Sequence, residues 1–447
     1  MANNVIKISR VGPATSLVDP LILPLTFFDL AWLPDKPTNR VIFYKLTESS
    51  TDSFYSVILP KLEQSLSLVL THFHPLSGHV KWDPQDPKPC IVVFPQDTVS
   101  LTVAEITDAD FSRVSGKGLR HQTELHPLVS ELPVFSSDSA SAFTLQITLF
   151  PKQGFCIGLT INHLVMDGKT VVKFLKLWAH ICKYGTTPQD IHLPMILDRK
   201  VINIPPELES DFFKCTPYLS GNVRTLKFPS TKKTEDLVRV TLELTQENVK
   251  KLRERAKSES TLSDDLHLST FVLTYAYVLT CVVKARGDDG DRPVPFTFAA
   301  DFRDRLDPPV PVNYFGNCAL PISFSGDKAK TFLGEDGFVN AVKILSDSVK
   351  GLDSRGAESI WELYEEGLKN MDLGSAQKLS VSGSNKFGIY GCDFGWGRPV
   401  STENVFFNKN LLFSMTEMRD ETGGVEIGMC LQKCVMDSFI SVFQNGL

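Results

Sequence analysis

The segment Asn162-His163-Leu164-Val165-Met166-Asp167-Gly168 sets an imidazole and a carboxylate in a His-x-x-x-Asp pattern. Imidazole titrates near cellular pH, so a neutral His163 lining a channel could take a proton from a hydroxyl. Asp167 precedes a glycine that permits a sharp turn, and an ion pair from its carboxylate would hold that turn without touching a substrate. A hydrogen-bonded core histidine is the plain alternative, and one His-x-x-x-Asp does not decide between them. The flanking sequence adds weight to the chemical reading. Phe155-Cys156-Ile157-Gly158-Leu159-Thr160-Ile161 reads as a buried strand, and Thr170 to Cys182 has helical spacing. His163 therefore stands where a strand gives way to a helix.

The remaining elements place this turn in an α/β chain. Val41-Ile42-Phe43-Tyr44-Lys45-Leu46 and Ile91-Val92-Val93-Phe94 read as strands, and Ser53 to His72 as a helix ending near Pro75 and Gly78. Phe143 to Phe150 alternates in polarity, which predicts a strand with one face less buried than the other. From Lys183 to about Thr225 the pattern is broken by Pro188, Pro194, Pro205, Pro206 and Pro217, as in a long crossover. A second mixed half follows, with a strand at Leu237 to Leu244 and helices at Gln246 to Lys257 and Leu268 to Lys284. Ser269 and Thr270 fall where a helix start leaves backbone amides unpaired, so capping is the simplest role for both. The expected division is 1–185, a crossover over 186–225, and 226–447.

A chain of 447 residues suits two cores better than one. Hydrophobic residues at 42% and charged residues at 22% exclude general disorder. A net charge of −6 offers no cationic surface to a phosphate backbone, so nucleic acid is excluded as a partner. No segment reaches the roughly 18 apolar residues of a membrane span, and the amino terminus lacks the apolar centre of a signal peptide, so a cytosolic protein is expected. The nine cysteines are scattered without a Cys-x-x-Cys pair, which predicts reduced thiols. Cys430 and Cys434 have no histidine near them to complete a metal site, so no metal is expected.

Three separated segments together resemble the plant BAHD acyltransferases, which use acyl-CoA donors: His163-x-x-x-Asp167-Gly168, Tyr314-Phe315-Gly316-Asn317-Cys318, and Asp393-Phe394-Gly395-Trp396-Gly397. The likeness runs from Leu23-Pro24-Leu25-Thr26-Phe27-Phe28-Asp29 to Gly423-Gly424-Val425-Glu426-Ile427-Gly428. The Asp167-Gly168-Lys169-Thr170 run is similar to that of phenolic glucoside and anthocyanin malonyltransferases. Leu164 departs from relatives that carry a smaller residue after the histidine, and its bulk would reshape the acceptor pocket.

The resemblance implies two similar mixed-sheet domains of chloramphenicol-acetyltransferase type, joined by the long crossover, with His163 as general base in a channel between them. It implies Asp167 and Arg303 as a structural pair, and Asp393 as a second catalytic residue or, as favoured here, a structural turn. Contacts to the coenzyme are implied at Arg40 before its strand, at Thr170 and Val171, and at Ser269 and Thr270. The implied activity is malonyl transfer from malonyl-CoA to a sugar hydroxyl of a phenolic, flavonoid or anthocyanin glucoside, by a monomer with no permanently bound cofactor. A hydroxycinnamoyl-CoA donor is the alternative. A silent binding protein and a metal hydrolase are weaker readings, the latter because His163 and Asp167 have no third ligand at close spacing.

Overall fold

The computed structural model describes residues 3–46, 50–188, 193–215, 225–227, 236–260, 265–287, 290–324, 326–353, 360–371, 378–405 and 412–447. Two large mixed sheets carry the chain. The first has six strands in the order Asn4–Val11, Val99–Glu105, Phe143–Phe150, Gly154–Ile161, Thr38–Lys45 and Ser401–Asn404. The second has seven, in the order Ala319–Phe324, Phe296–Asp301, Leu379–Ser384, Leu412–Glu417, Val425–Gln432, Leu237–Leu244 and Arg120–His121. A small sheet of Leu21–Pro24, Cys90–Val93, His79–Lys81 and Ser139–Ser141 covers the amino-terminal side. Among the described residues no helix is long and apolar enough to cross a membrane.

Two strands cross the division expected at 186–225. Ser401–Asn404 pairs with Thr38–Lys45 in the first sheet, and Arg120–His121 pairs with Leu237–Leu244 in the second. Neither sheet is therefore built from one half of the sequence. The exchange is locked by charge. Glu403 accepts from Arg120 Nη2 at 2.5 Å and from Arg239 Nη2 at 2.6 Å, so a carboxylate of the first sheet meets two guanidinium groups of the second. Each of the three is 3% exposed or less, where unpaired charge would be costly.

The strand at Phe143–Phe150 corrects a sequence expectation, because all eight residues are buried. Its polar face is covered by the turn over Gln122–Leu128: Gln146 Nε2 donates to Pro127 O at 2.7 Å, and Ser130 Oγ donates to Gln146 Oε1 at 3.0 Å. Leu125, Leu128 and Val129 of this cover form a second core with Val41, Phe43 and Cys156. Gly158 permits the approach, since a Cβ there would lie 2.1 Å from Leu128 O. Alternation reports polarity, and here polar side chains are satisfied by protein in place of water.

Candidate functional site

The strand Gly154–Ile161 is buried throughout and ends two residues before His163, and the helix Gly168–Tyr184 begins directly after Asp167. Asp167 caps that helix, accepting from Thr170 N at 3.0 Å with Oδ1. Its other oxygen accepts from Cys318 N at 3.0 Å and from Arg303 Nη2 at 2.8 Å. One carboxylate thus ties the histidine turn to the helix start and to the second sheet. Burial alone would lower the pKa of Arg303, but the Asp167 and Asp301 carboxylates raise it above the usual arginine range. The guanidinium stays charged.

His163 is fixed by groups from remote parts of the chain. Trp32 lies face to face with its ring, with centroids 4.0 Å apart and planes 9° from parallel, and Trp32 Nε1 donates to Ala319 O at 3.0 Å. Asn317 Nδ2 donates to the His163 carbonyl at 3.0 Å and to Asp29 Oδ1 at 2.9 Å. Asp29 is held in turn by the capping box it forms with Thr26. His163 Nδ1 is buried without a hydrogen-bond partner among the described residues, which leaves Nε2 as the accessible ring nitrogen. The arrangement holds a rigid imidazole with one nitrogen free to exchange a proton.

Asp35 follows Trp32 on the same turn, and its N–H donates to Trp32 O at 3.0 Å. Its side chain is accessible to solvent, yet burial by surrounding protein raises its carboxyl pKa, with His163 and Lys378 opposing. Lys378 donates to Ser323 Oγ at 2.5 Å, and burial pushes its ammonium down to about 8. Lys173, on the helix after Asp167, is pushed down to about 8 by burial and then by Arg303 and Lys169.

The other residues expected from sequence are dispersed. Thr170 is fully buried and donates its hydroxyl to Gly316 O at 3.1 Å, and Val171 is buried beside it. Leu164 is 3% exposed and belongs to the main core, so its bulk is absorbed by packing. Ser269 caps the helix Thr270–Arg286, accepting from Val272 N at 3.3 Å. Thr270 lines a separate cavity of about 560 Å³ with Lys250, Arg253, Glu247 and Glu421. Arg40 corrects the expected boundary, since it lies inside the strand Thr38–Lys45, opposite Leu159 and Asn404. Backbone pairing on both sides extends that strand past its apolar run. Arg40 Nη1 donates to Thr402 Oγ1 at 2.9 Å; burial lowers its pKa, while Glu417 and Glu403 oppose the shift.

Asp393 sits at the far end of the helix Gly168–Tyr184. It pairs with Lys183 at 2.7 Å and accepts from Gly395 N at 2.8 Å and Gly397 N at 3.0 Å. The helix rises by 1.5 Å per residue, which separates Lys183 from Asp167 by roughly 24 Å. Gly395 and Gly397 both have positive φ, 108° and 97°, a backbone region that favours glycine. Among the described residues no group of three or more His, Cys, Asp and Glu side chains is placed to hold a metal ion. Trp32, Asp35 and Lys173 were not anticipated from sequence. The available signal was the Thr26-x-x-Asp29 capping spacing, which marks where the short helix before Trp32 begins.

A family model described as the transferase family matches residues 3–445. A BAHD acyltransferase of Arabidopsis thaliana is 65% identical over 449 residues, covering 100% of this chain and 99% of its own. Agmatine coumaroyltransferase of Arabidopsis thaliana is 60% identical over 456 residues, and phenolic glucoside malonyltransferase 2 of the same organism is 48% identical over 455, each match covering 100% of both chains. The crystal structure of vinorine synthase superposes with a TM-score of 0.72 at 20% identity, covering 99% of this chain and 98% of that one. The fold is shared: two mixed-sheet α/β domains of chloramphenicol-acetyltransferase type.

Proposed function

The chain belongs to the transferase family, in its BAHD acyltransferase branch, and we propose that it carries an acyl group from an acyl-CoA thioester to a small acceptor, with His163 as general base. The observation that carries this reading is the histidine turn, whose Nε2 is open while Asp167, Arg303, Asn317 and Trp32 hold everything around it. As the acceptor oxygen or nitrogen attacks the thioester carbonyl, its proton passes to His163. The new C–O or C–N bond forms, the C–S bond breaks, and the departing thiolate recovers the proton from the imidazolium. The indole face of Trp32 favours that imidazolium by about 0.5–2 kcal/mol. No acyl-enzyme is needed. Burial pushes the Cys156 thiol up to about 12, far from a reactive thiolate. Asp393 acts as a structural anchor of its turn, too remote from His163 to share the proton transfer.

For the donor, the reading places hydroxycinnamoyl-CoA ahead of malonyl-CoA. The 60% identity to a coumaroyltransferase supports it. So does the state of Arg40, whose charge already interacts with Glu417 and Glu403 and has less to offer a malonyl carboxylate. Malonyl transfer to a phenolic glucoside keeps separate support from the 48% identity to a malonyltransferase and from Arg40 having only Nη1 hydrogen-bonded among the described residues. Incubation of the protein with coumaroyl-CoA or malonyl-CoA, against agmatine and a phenolic glucoside, tests both readings by product mass. The expected product carries a coumaroyl group. A malonylated product, with Arg40→Ala weakening malonyl-CoA far more than acetyl-CoA, would establish the second reading in its place.

A further inference from the structure

Gly168 follows the Asp167 cap as the first residue of the helix Gly168–Tyr184, and its φ is not positive. The turn expected from sequence at this glycine therefore asks for no left-handed backbone. What it asks for is space. A Cβ at Gly168 would lie 3.0 Å from Cε2 and 3.2 Å from Cζ of Phe387, so the ring admits a hydrogen there and crowds a methyl group. Phe387 comes from the second sheet. It leaves the strand Leu379–Ser384 through a tight turn in which Ser384 O accepts from Phe387 N at 3.4 Å and Ser384 Oγ accepts from Lys386 N at 3.2 Å. The Phe387 carbonyl then accepts from Lys176 Nζ at 2.7 Å, about two turns along the helix that begins at Gly168. The segment continues to Asp393, which pairs with Lys183 at 2.7 Å. The ring is thus backed by a segment fastened to the same helix at both of these lysines.

We propose that Phe387 is a positioning residue for the histidine turn, and that position 168 is a glycine in order to seat its ring. The inference rests on the acyl-transfer reading above and deepens it. The hydrogen bonds from Cys318 N and Arg303 Nη2 draw Asp167 toward the second sheet. Attraction alone does not fix a distance. A steric stop beside it does, because close-packed groups resist further approach and transmit strain. Phe387 supplies that stop at Gly168, the residue after Asp167. It acts through the backbone of the turn and takes no part in proton transfer.

The test pairs an added methyl group with a removed ring, and kcat is measured with the donor and acceptor that give product in the assay above. Alanine is the better helix former, so backbone preference alone predicts that Gly168→Ala unfolds at equal or higher urea than the parent. A misplacement of about 1 Å can cost roughly a hundredfold in rate, so a shift of a few tenths is expected to lower kcat roughly threefold to tenfold, with the KM for the donor nearly unchanged. Phe387→Tyr keeps the ring and should match the parent. Phe387→Leu alone should lose turnover, yet Gly168→Ala combined with Phe387→Leu should recover most of the kcat lost in Gly168→Ala, because the space left by the ring receives the methyl group. Carbethoxylation of His163 by diethyl pyrocarbonate, read by peptide mass, needs no turnover. Its rate is expected to change in Gly168→Ala and to return toward the parent rate in the double variant. That pattern in a parent that transfers no acyl group from either donor supports the positioning role and overturns the acyl-transfer reading. Parental kcat in Gly168→Ala, losses that multiply in the double variant, or losses of kcat that follow the urea midpoint throughout overturn the positioning role and leave acyl transfer standing.

Discussion

Replacing Asp167 by Asn separates a structural role from a chemical one. The carboxylate accepts three hydrogen bonds, from Thr170 N, Cys318 N and Arg303 Nη2. The amide has one acceptor oxygen. If that oxygen keeps the helix cap, the NH₂ group faces Arg303 and the Cys318 N–H, donors against a donor. If it turns to Arg303, the cap is lost. In both rotamers the Arg303 guanidinium, 2% exposed, loses its buried counter-charge and keeps, among the described residues, only Asp301 at 3.1 Å, whose side chain is 39% exposed and screened by water. Breaking a buried pair from one side costs about 3–5 kcal/mol. A lost cap alone would cost about 1 kcal/mol, so the expected loss exceeds what capping explains. Urea unfolding read by fluorescence, alongside kcat/KM for the preferred donor and acceptor, measures both consequences. The expected variant unfolds at distinctly lower urea and is impaired because the histidine turn is loosened. Asp167→Asn combined with Arg303→Met should be less destabilised than the sum of the single changes, since the double variant strands no charge. If Asp167→Asn unfolds like the parent and has lost all activity, Asp167 acts in the chemistry and the argument from its hydrogen bonds is wrong.

Two further outcomes follow from the same geometry. His163→Ala should lower turnover by about 10²- to 10⁴-fold while leaving the dissociation constant of the acyl-CoA donor nearly unchanged, and wild-type turnover in this variant would remove His163 from the role of base. Burial opposes the charge on Glu403, but Arg239 and Arg120 outweigh it and hold the folded carboxyl below its usual range. Its stabilising contribution is therefore fully present above the unfolded pKa of about 4.3 and is lost as pH falls through the folded value. Glu403→Gln should be destabilised at pH 7 and lose less additional stability on acidification than the parent. An unchanged difference in urea midpoint between pH 7 and pH 3, well below the unfolded pKa, would refute the link.

Local elements were legible wherever chain-local physics controls them. Leu237 to Leu244 read as a strand and is one, and Gln246 to Lys257 read as a helix that the structure extends to Glu259. The same holds for the junction at His163, because a buried β-branched run followed by helical spacing is a pattern of neighbours. The expected partnership of Asp167 with Arg303 came from likeness to a family and coincides with the 2.8 Å contact, but no spacing in the chain encodes it.

What only the tertiary structure decided are pairings between residues far apart in sequence. Strand exchange by Arg120–His121 and Ser401–Asn404 rests on backbone pairing and on the buried Glu403–Arg120–Arg239 charges between remote segments, so local hydropathy could not report it. Trp32 against His163, and Asn317 bridging Asp29 to the His163 carbonyl, join segments whose separation along the chain carries no periodic signal. Asp393 shows the converse. Its motif was plain in the sequence, yet its distance from the histidine is set by the length of the rigid helix between Asp167 and Lys183. By itself the sequence determined that a histidine and a carboxylate stand at the junction of a buried strand and a helix. Folding decided which remote groups meet around His163, because long-range packing and buried charge compensation act through space and leave no trace in the spacing of residues.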